Sequence, residues 1–203
     1  MTTGSLFPPR VYPGKNIKGR IAGLFREAEP HPETATTAEL DVDFEGIPGS
    51  RHHGFLRRAG PREPWYGRGT HMRSGRQITL VSTEDMAALA LDMGLDRLDP
   101  GWIGSNVVTQ GIPSLSWLPA GTRLVSSAGV VLVVEGQNAP CRIAGKAIMR
   151  HVAGERAAGL DLAFAKLAVG RRGLVASVER PGTLVAGETV IAKVGRQWIY
   201  PPA

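Results

Sequence analysis

Cysteine is nearly absent from this 203-residue sequence: Cys141 is the only one. That scarcity excludes a disulfide framework within the chain and a zinc site built on cysteines. Long hydrophobic runs are missing too. No apolar stretch approaches the roughly 20 residues that a membrane-spanning helix needs. The N-terminal MTTGSLFPPR lacks the apolar core of a secretory signal. The expectation is a cytoplasmic protein that does not enter a membrane. No phosphate-loop pattern ending in Lys-Ser/Thr occurs, nor a G-x-G-x-x-G after a strand, nor zinc or EF-hand spacing, nor an internal repeat. The common nucleotide- and calcium-binding loops are thereby excluded.

What is present points to one globular domain of many short elements. Hydrophobic residues make up 42% of the chain, enough for a core and too many for a disordered protein. The 26 glycines and 15 prolines suit turns between strands better than a helix bundle. The formal net charge of +6 calls for an anionic partner without saying which.

Residues 1–16, with Pro8, Pro9 and Pro13, read as an irregular lead-in. A glycine-interrupted strand is expected over 17–26, then a loop at EAEPHPET. A half-buried strand over 36–44 is expected to bury Leu40, Val42 and Phe44. RQITLVS (76–82) reads as a strand. Ser82 or Thr83 then caps a helix that buries Met86, Leu89, Ala90 and Met93 and stops at Gly94. Further strands are expected at 102–113, on both sides of a turn at Ser126–Gly129, at 170–182 and at 188–194, with a short helix at LDLAFAKLA. Residues 195–203 form a tail whose Trp198 and Tyr200 are expected to pack back on the domain. Strands without alternating helical crossovers argue against a doubly wound sheet. The fold class is mainly β with peripheral helices, a curved mixed sheet or β-barrel.

The chain turns on residues 130–151, VVLVVEGQNAPCRIAGKAIMRH. Val130–Val134 read as a buried strand, with Val131 and Val133 on one face and Val130, Leu132 and Val134 on the other. Asn138 suits a helix cap and Pro140 a first helical position. That places Cys141 in the first turn of a helix running to about His151. Free amides, the positive end of the helix dipole and the neighbouring Arg142 all favour a thiolate there, the nucleophilic and metal-binding form of cysteine. The competing reading is a small buried hydrophobe.

A second feature is the stretch 51–76. It holds seven arginines against one acid, Glu63, with Trp65, Tyr66 and His71 interleaved. One reading is a nucleic-acid-binding module, in which aromatics stack bases and arginines follow the backbone. The other is a solvated arginine-rich loop. His52 and His53 are adjacent and face opposite ways in an extended chain, which argues against a joint metal site.

In order along the chain, GIPGSRHHG, GRQITLVSTED, WIGSNVVTQGI, LPAGTRL, VVEGQNAPC and GRRGLVASVERPGTLVAGETV resemble the MOSC domain. This is the C-terminal domain of molybdenum cofactor sulfurases and also occurs as stand-alone bacterial proteins. The resemblance covers residues 17–194. It implies a β-barrel-like fold, binding of the molybdenum cofactor (molybdopterin), and a cysteine that carries sulfur as a persulfide or ligates the metal. Cys141 stands at that position. Arg172 falls in the family's Arg-Gly pair and Asn106 in its Gly-x-Asn turn; Arg76 and His53 are expected as further anion contacts. Ser50 and Ser105 replace acids common in the family, which makes the site more cationic. No lysine-bearing pyridoxal phosphate region is visible. The resemblance therefore implies that any sulfur comes from a partner, and the expected partner is a pyridoxal-phosphate cysteine desulfurase or a molybdoenzyme. The alternative is a module that binds nucleic acid or another phosphate ligand, with a structural cysteine.

Overall fold

The short apolar runs become strands of one closed sheet. The computed structural model describes residues 10–199. Its strands, in chain order, are β1 (Val11–Tyr12), β2 (Lys15–Glu27), β3 (Thr34–Thr37), β4 (Glu39–Val42), β5 (Leu56–Arg58), β6 (His71–Arg73), β7 (Ile78–Ser82), β8 (Val107–Gln110), β9 (Arg123–Ser126), β10 (Val131–Gln137), β11 (Leu174–Arg180), β12 (Gly182–Val185), β13 (Thr189–Val194) and β14 (Gln197–Trp198). The helices are α1 (Thr83–Asp92), α2 (Arg142–Met149) and α3 (Leu160–Leu167).

Seven strands close in the order β13-β9-β10-β11-β7-β8-β2, and β2 pairs with β13 to complete the barrel. Only β7 and β8 run parallel, as the crossover through α1 requires. The long strand β2 serves three neighbours, β13 along its first half, then β8, and β3 on its last residues, and it slips register against β8 between Ile21 and Gly23. Such a bulge sharpens local twist and lets one strand turn a barrel corner.

Alternation assigns the two faces. Leu132 and Val134, with Ile78, Leu80, Leu24 and Leu174, fill the barrel interior. Phe25, Val81 and Val108 point outward and meet Met86, Leu89, Ile148 and Phe164 of the helices in a second core. Val130, Leu132 and Val134 are buried, whereas Val131 and Val133 are half-buried on the other face. Of the two cap candidates, Ser82 caps α1, its hydroxyl accepting from the Asp85 amide at 3.0 Å. Among the described residues no helix is long and apolar enough to cross a membrane.

Three local expectations need correction. Phe44 is exposed, because the chain turns back at Asp43–Gly46 before the alternation reaches it. The arginine-rich stretch is not one loop: β5 and β6 pair as a hairpin within it. Trp198 is 67% exposed; the end of the chain is tied instead by the backbone pairing of β14 with β1. Tyr200 and residues 1–9 lie outside the described residues.

Candidate functional site

The segment before α2 is built differently from the sequence expectation. Asn138 does not cap the helix. Its amide donates to the Gly173 carbonyl at 2.9 Å, which continues the pairing of β10 with β11. Pro140 biases the residue before it toward an extended conformation, so the helix starts later. Cys141 itself is the N-cap, with φ −145° and ψ 159°. Its carbonyl accepts from the Gly145 amide at 3.2 Å, and its side chain makes no capping bond. The thiol is thus uncommitted beside first-turn amides that have no partner within the helix. It is half-buried, not sealed in the core.

Cys141 opens into a cavity of about 420 Å³, within the range of small-molecule sites. Six arginines line it: Arg51, Arg57, Arg58, Arg62, Arg76 and Arg172. The one lining carboxylate, Glu27, is engaged by Arg51. Glu63 stands behind Arg57 at 2.6 Å and also accepts from the Gly60 amide at 2.9 Å. Cationic groups therefore exceed anionic ones, and a multiply charged anion suits the space.

Arg172 is the clearest element. It is 6% exposed and donates through Nη2 to the Ile103 carbonyl at 2.5 Å, while Nη1 has no hydrogen-bond partner among the described residues. Burial pushes this guanidinium down to about 10. A thiolate at Cys141 acts in the opposite sense, and Arg62 and Arg76 add to the lowering. It still carries its charge at neutral pH. A buried charged donor without a partner costs free energy unless a ligand supplies one.

Arg76 is likewise lowered, first by burial and then by Arg62 and Arg57. It reaches Asn138 Oδ1 at 3.5 Å and lies 3.9 Å from Glu63. Desolvation and the charge of Arg76 push the His52 imidazole below its ordinary value. Desolvation and Arg51 do the same to His31.

The structure brings Cys141, Arg172, Asn106 and Arg76 to one cavity but leaves His53 out. The His53 ring is held against Asp43, at 2.9 and 3.1 Å, and lies 3.9 Å from Glu45. Adjacent histidines do diverge, and the one at the cavity is His52. Asn106 lines the wall, but its side chain is spent on the fold. Its Oδ1 accepts from the Thr79 amide at 3.0 Å and the Thr79 hydroxyl at 2.9 Å, which fastens the parallel pair β7–β8. Sequence reasoning did not single out Arg62 or His31, and of the adjacent histidines it took His53 and not His52. The excess of arginine over acid in 51–76 was a signal for the first; His31, in a proline turn, carried none.

The family follows from comparison. The MOSC domain model matches residues 67–191. The chain belongs to the MOSC domain family. It is 38% identical over 176 residues to YuaD of Bacillus subtilis (strain 168), covering 87% of this chain and 91% of YuaD, a protein named for metal-sulfur cluster biosynthesis. The YuaD crystal structure superposes with a TM-score of 0.82 at 36% identity, over 89% of this chain and 98% of that one. Escherichia coli YiiM shares the fold at a TM-score of 0.54 and 17% identity, over 85% of this chain and 69% of YiiM.

Glu63 supports a test of how this MOSC site is held. Its hydrogen bond from Arg57, with the Gly60 amide and the Arg57 charge, overcomes desolvation and lowers its pKa from 4.5 to about 2. A depressed carboxylate stabilises the folded state fully above its unfolded value and loses that contribution as pH falls through the folded one. The β5–β6 hairpin is therefore expected to keep its protection down to about pH 4.5 and to loosen progressively toward pH 2. Glu63→Gln should remove about 1–3 kcal/mol of local stability at neutral pH and flatten that acid dependence. Hydrogen exchange of residues 56–73 measures both.

Proposed function

We propose that this protein binds the molybdenum cofactor in the arginine-lined cavity and uses Cys141 to handle its sulfur, as a persulfide carrier or as a thiolate ligand. The observation that carries the reading is the placement on one cavity of an uncommitted thiol and a buried arginine whose Nη1 has no partner among the described residues. The cofactor ends in a phosphate, and guanidinium groups match phosphate oxygens in geometry and charge.

The donor set fits this group. Among the described residues no cluster of three or more His, Cys, Asp or Glu side chains is arranged to hold a metal ion. One thiolate alone suits a metal that arrives inside its own organic chelate and not a bare ion. When bound, the cofactor supplies a soft, electron-poor metal centre. Arg172 would hold the phosphate end, with Arg62 and Arg76 adding charge, and Cys141 would meet the sulfur-bearing end. The relation to YuaD, named for metal-sulfur cluster biosynthesis, agrees with sulfur handling. A concave array of arginines favours a compact anion over the extended backbone of a nucleic acid.

Molybdenum and pterin content of protein purified from its own host tests the reading. Arg172→Met keeps much of the side-chain volume and removes the charge. It is expected to lower cofactor retention about tenfold or more, since a charged hydrogen bond is worth about 1.5–3 kcal/mol. Equal pterin in the wild type and a folded variant, or none in either, would overturn it.

A further inference from the structure

Resting on the sulfur-carrier reading, the question becomes where the sulfur comes from. Three features bear on it. First, Arg172 is buried, charged and unpartnered at Nη1 on the cavity that Cys141 shares. Second, Arg62 Nη2 donates to the Ala139 carbonyl at 3.2 Å, so the tip of the β5–β6 hairpin is tied to the segment just before Cys141. Arg62 thereby stands on the wall of the cavity that Cys141 shares. Third, Cys141 caps α2, where unpartnered amides add to the positive field of the arginines.

We infer that the cavity takes a small sulfur oxyanion with a transferable sulfane sulfur, of which thiosulfate is the simplest, and that Cys141 is loaded from it directly.

The step balances without an outside oxidant. The Cys141 thiolate attacks the outer sulfur of thiosulfate. A new S–S bond forms to Cys141 while the S–S bond of thiosulfate breaks, and sulfite leaves with the electron pair. One thiolate and one dianion become one persulfide anion and one dianion. Charge develops on the departing sulfite, where fixed guanidinium groups stabilise it more than they stabilise bound thiosulfate. Three oxygens on one sulfur suit several planar N–H forks better than a single ammonium.

The chain has one cysteine, so a mass gain of one sulfur atom locates the product. The reduced full-length protein is incubated with thiosulfate, freed of it, and weighed intact. Turnover is then followed as thiocyanate formed when cyanide removes the persulfide sulfur. Polysulfide serves as a donor without oxygens. The expected result is a gain of one sulfur from thiosulfate and steady turnover, with both lost in Cys141→Ser. Arg172→Met and Arg62→Gln should each raise the KM for thiosulfate about tenfold or more and weaken loading by polysulfide, an anion with no oxygens for the guanidinium forks, much less. Arg62 is exposed and its side chain donates to the Ala139 carbonyl at the surface, so its variant reads the site even if Arg172→Met fails to fold. Loading by polysulfide but not by thiosulfate overturns the inference and leaves the carrier reading standing. Loading by thiosulfate with the KM unchanged in Arg62→Gln and in a folded Arg172→Met overturns the oxyanion site. Loading by neither donor overturns both.

Discussion

Gly173→Ala is expected to destabilise the protein by about 4 kcal/mol or more, the range reserved for gross steric or packing faults. Two effects combine. Gly173 sits at φ +87°, where a side chain costs roughly 1–2 kcal/mol. A Cβ there would lie 1.9 Å from the Leu80 carbonyl oxygen and 2.9 Å from Val81. Both neighbours belong to β7, which pairs with β11 at Leu80–Leu174, so relief requires separating two barrel strands. Gly173 also donates to the Ser116 hydroxyl at 3.0 Å and accepts from the Asn138 amide. A shift would therefore drag the approach to Cys141 and displace Arg172, one residue away. For a chain of this size the loss corresponds to a fall in Tm of roughly 10 °C. Gly136→Ala is the control: it has open space around its Cβ and should change stability by less than about 1 kcal/mol. Thermal unfolding of the two variants side by side decides it; equal melting points would mean that β7 and β11 tolerate the separation.

The elements that sequence reasoning placed well are those in which one signal dominates. The run Val130–Val134 had to be a strand because five consecutive apolar, mostly β-branched residues suit a pleated, buried surface. Ser82 announced its helix because its hydroxyl satisfies an amide that nothing else can reach. The six ordered motifs placed Cys141, Arg172 and Asn106 on a common architecture, and the cavity does gather them.

What escaped prediction depends on long-range contacts. The β5–β6 hairpin has arginines where a strand usually shows an apolar face, so no alternation marked it. It holds through Glu63, Arg57 and the Arg73–Glu135 pair. The start of α2 slipped by a few residues because Asn138 had two uses, cap or strand partner, and Gly173 across the sheet decided between them. His52 and His53 are equivalent in sequence; Asp43, brought near by the turn at Gly46, selects which of them faces away. The conversion of Asn106 from a ligand contact to a structural clamp depends on Thr79, 27 positions away.

Cys141→Ser is expected to abolish sulfur loading and any ligation of a soft metal while leaving stability and anion binding nearly intact. A serine hydroxyl is far weaker than a thiolate as a nucleophile at neutral pH, and it is a poor ligand for soft metals. The substitution exchanges atoms of similar size at a half-buried N-cap whose side chain makes no capping bond. Serine is moreover a favoured N-cap, so α2 should be unharmed or slightly more stable. In the proposed site, anion binding would rest on Arg172, Arg62 and Arg76, which the substitution does not touch. Serine brings no negative charge to the side of Arg172 and Arg76, so affinity for a plain oxyanion such as sulfate should hold. Calorimetric titration with sulfate, together with persulfide detection after exposure to polysulfide, separates the two halves of the site. Sulfate binding lost together with the thiol would mean that Cys141 shapes the anion pocket itself. Persulfide detected in the serine variant would remove this residue from the chemistry.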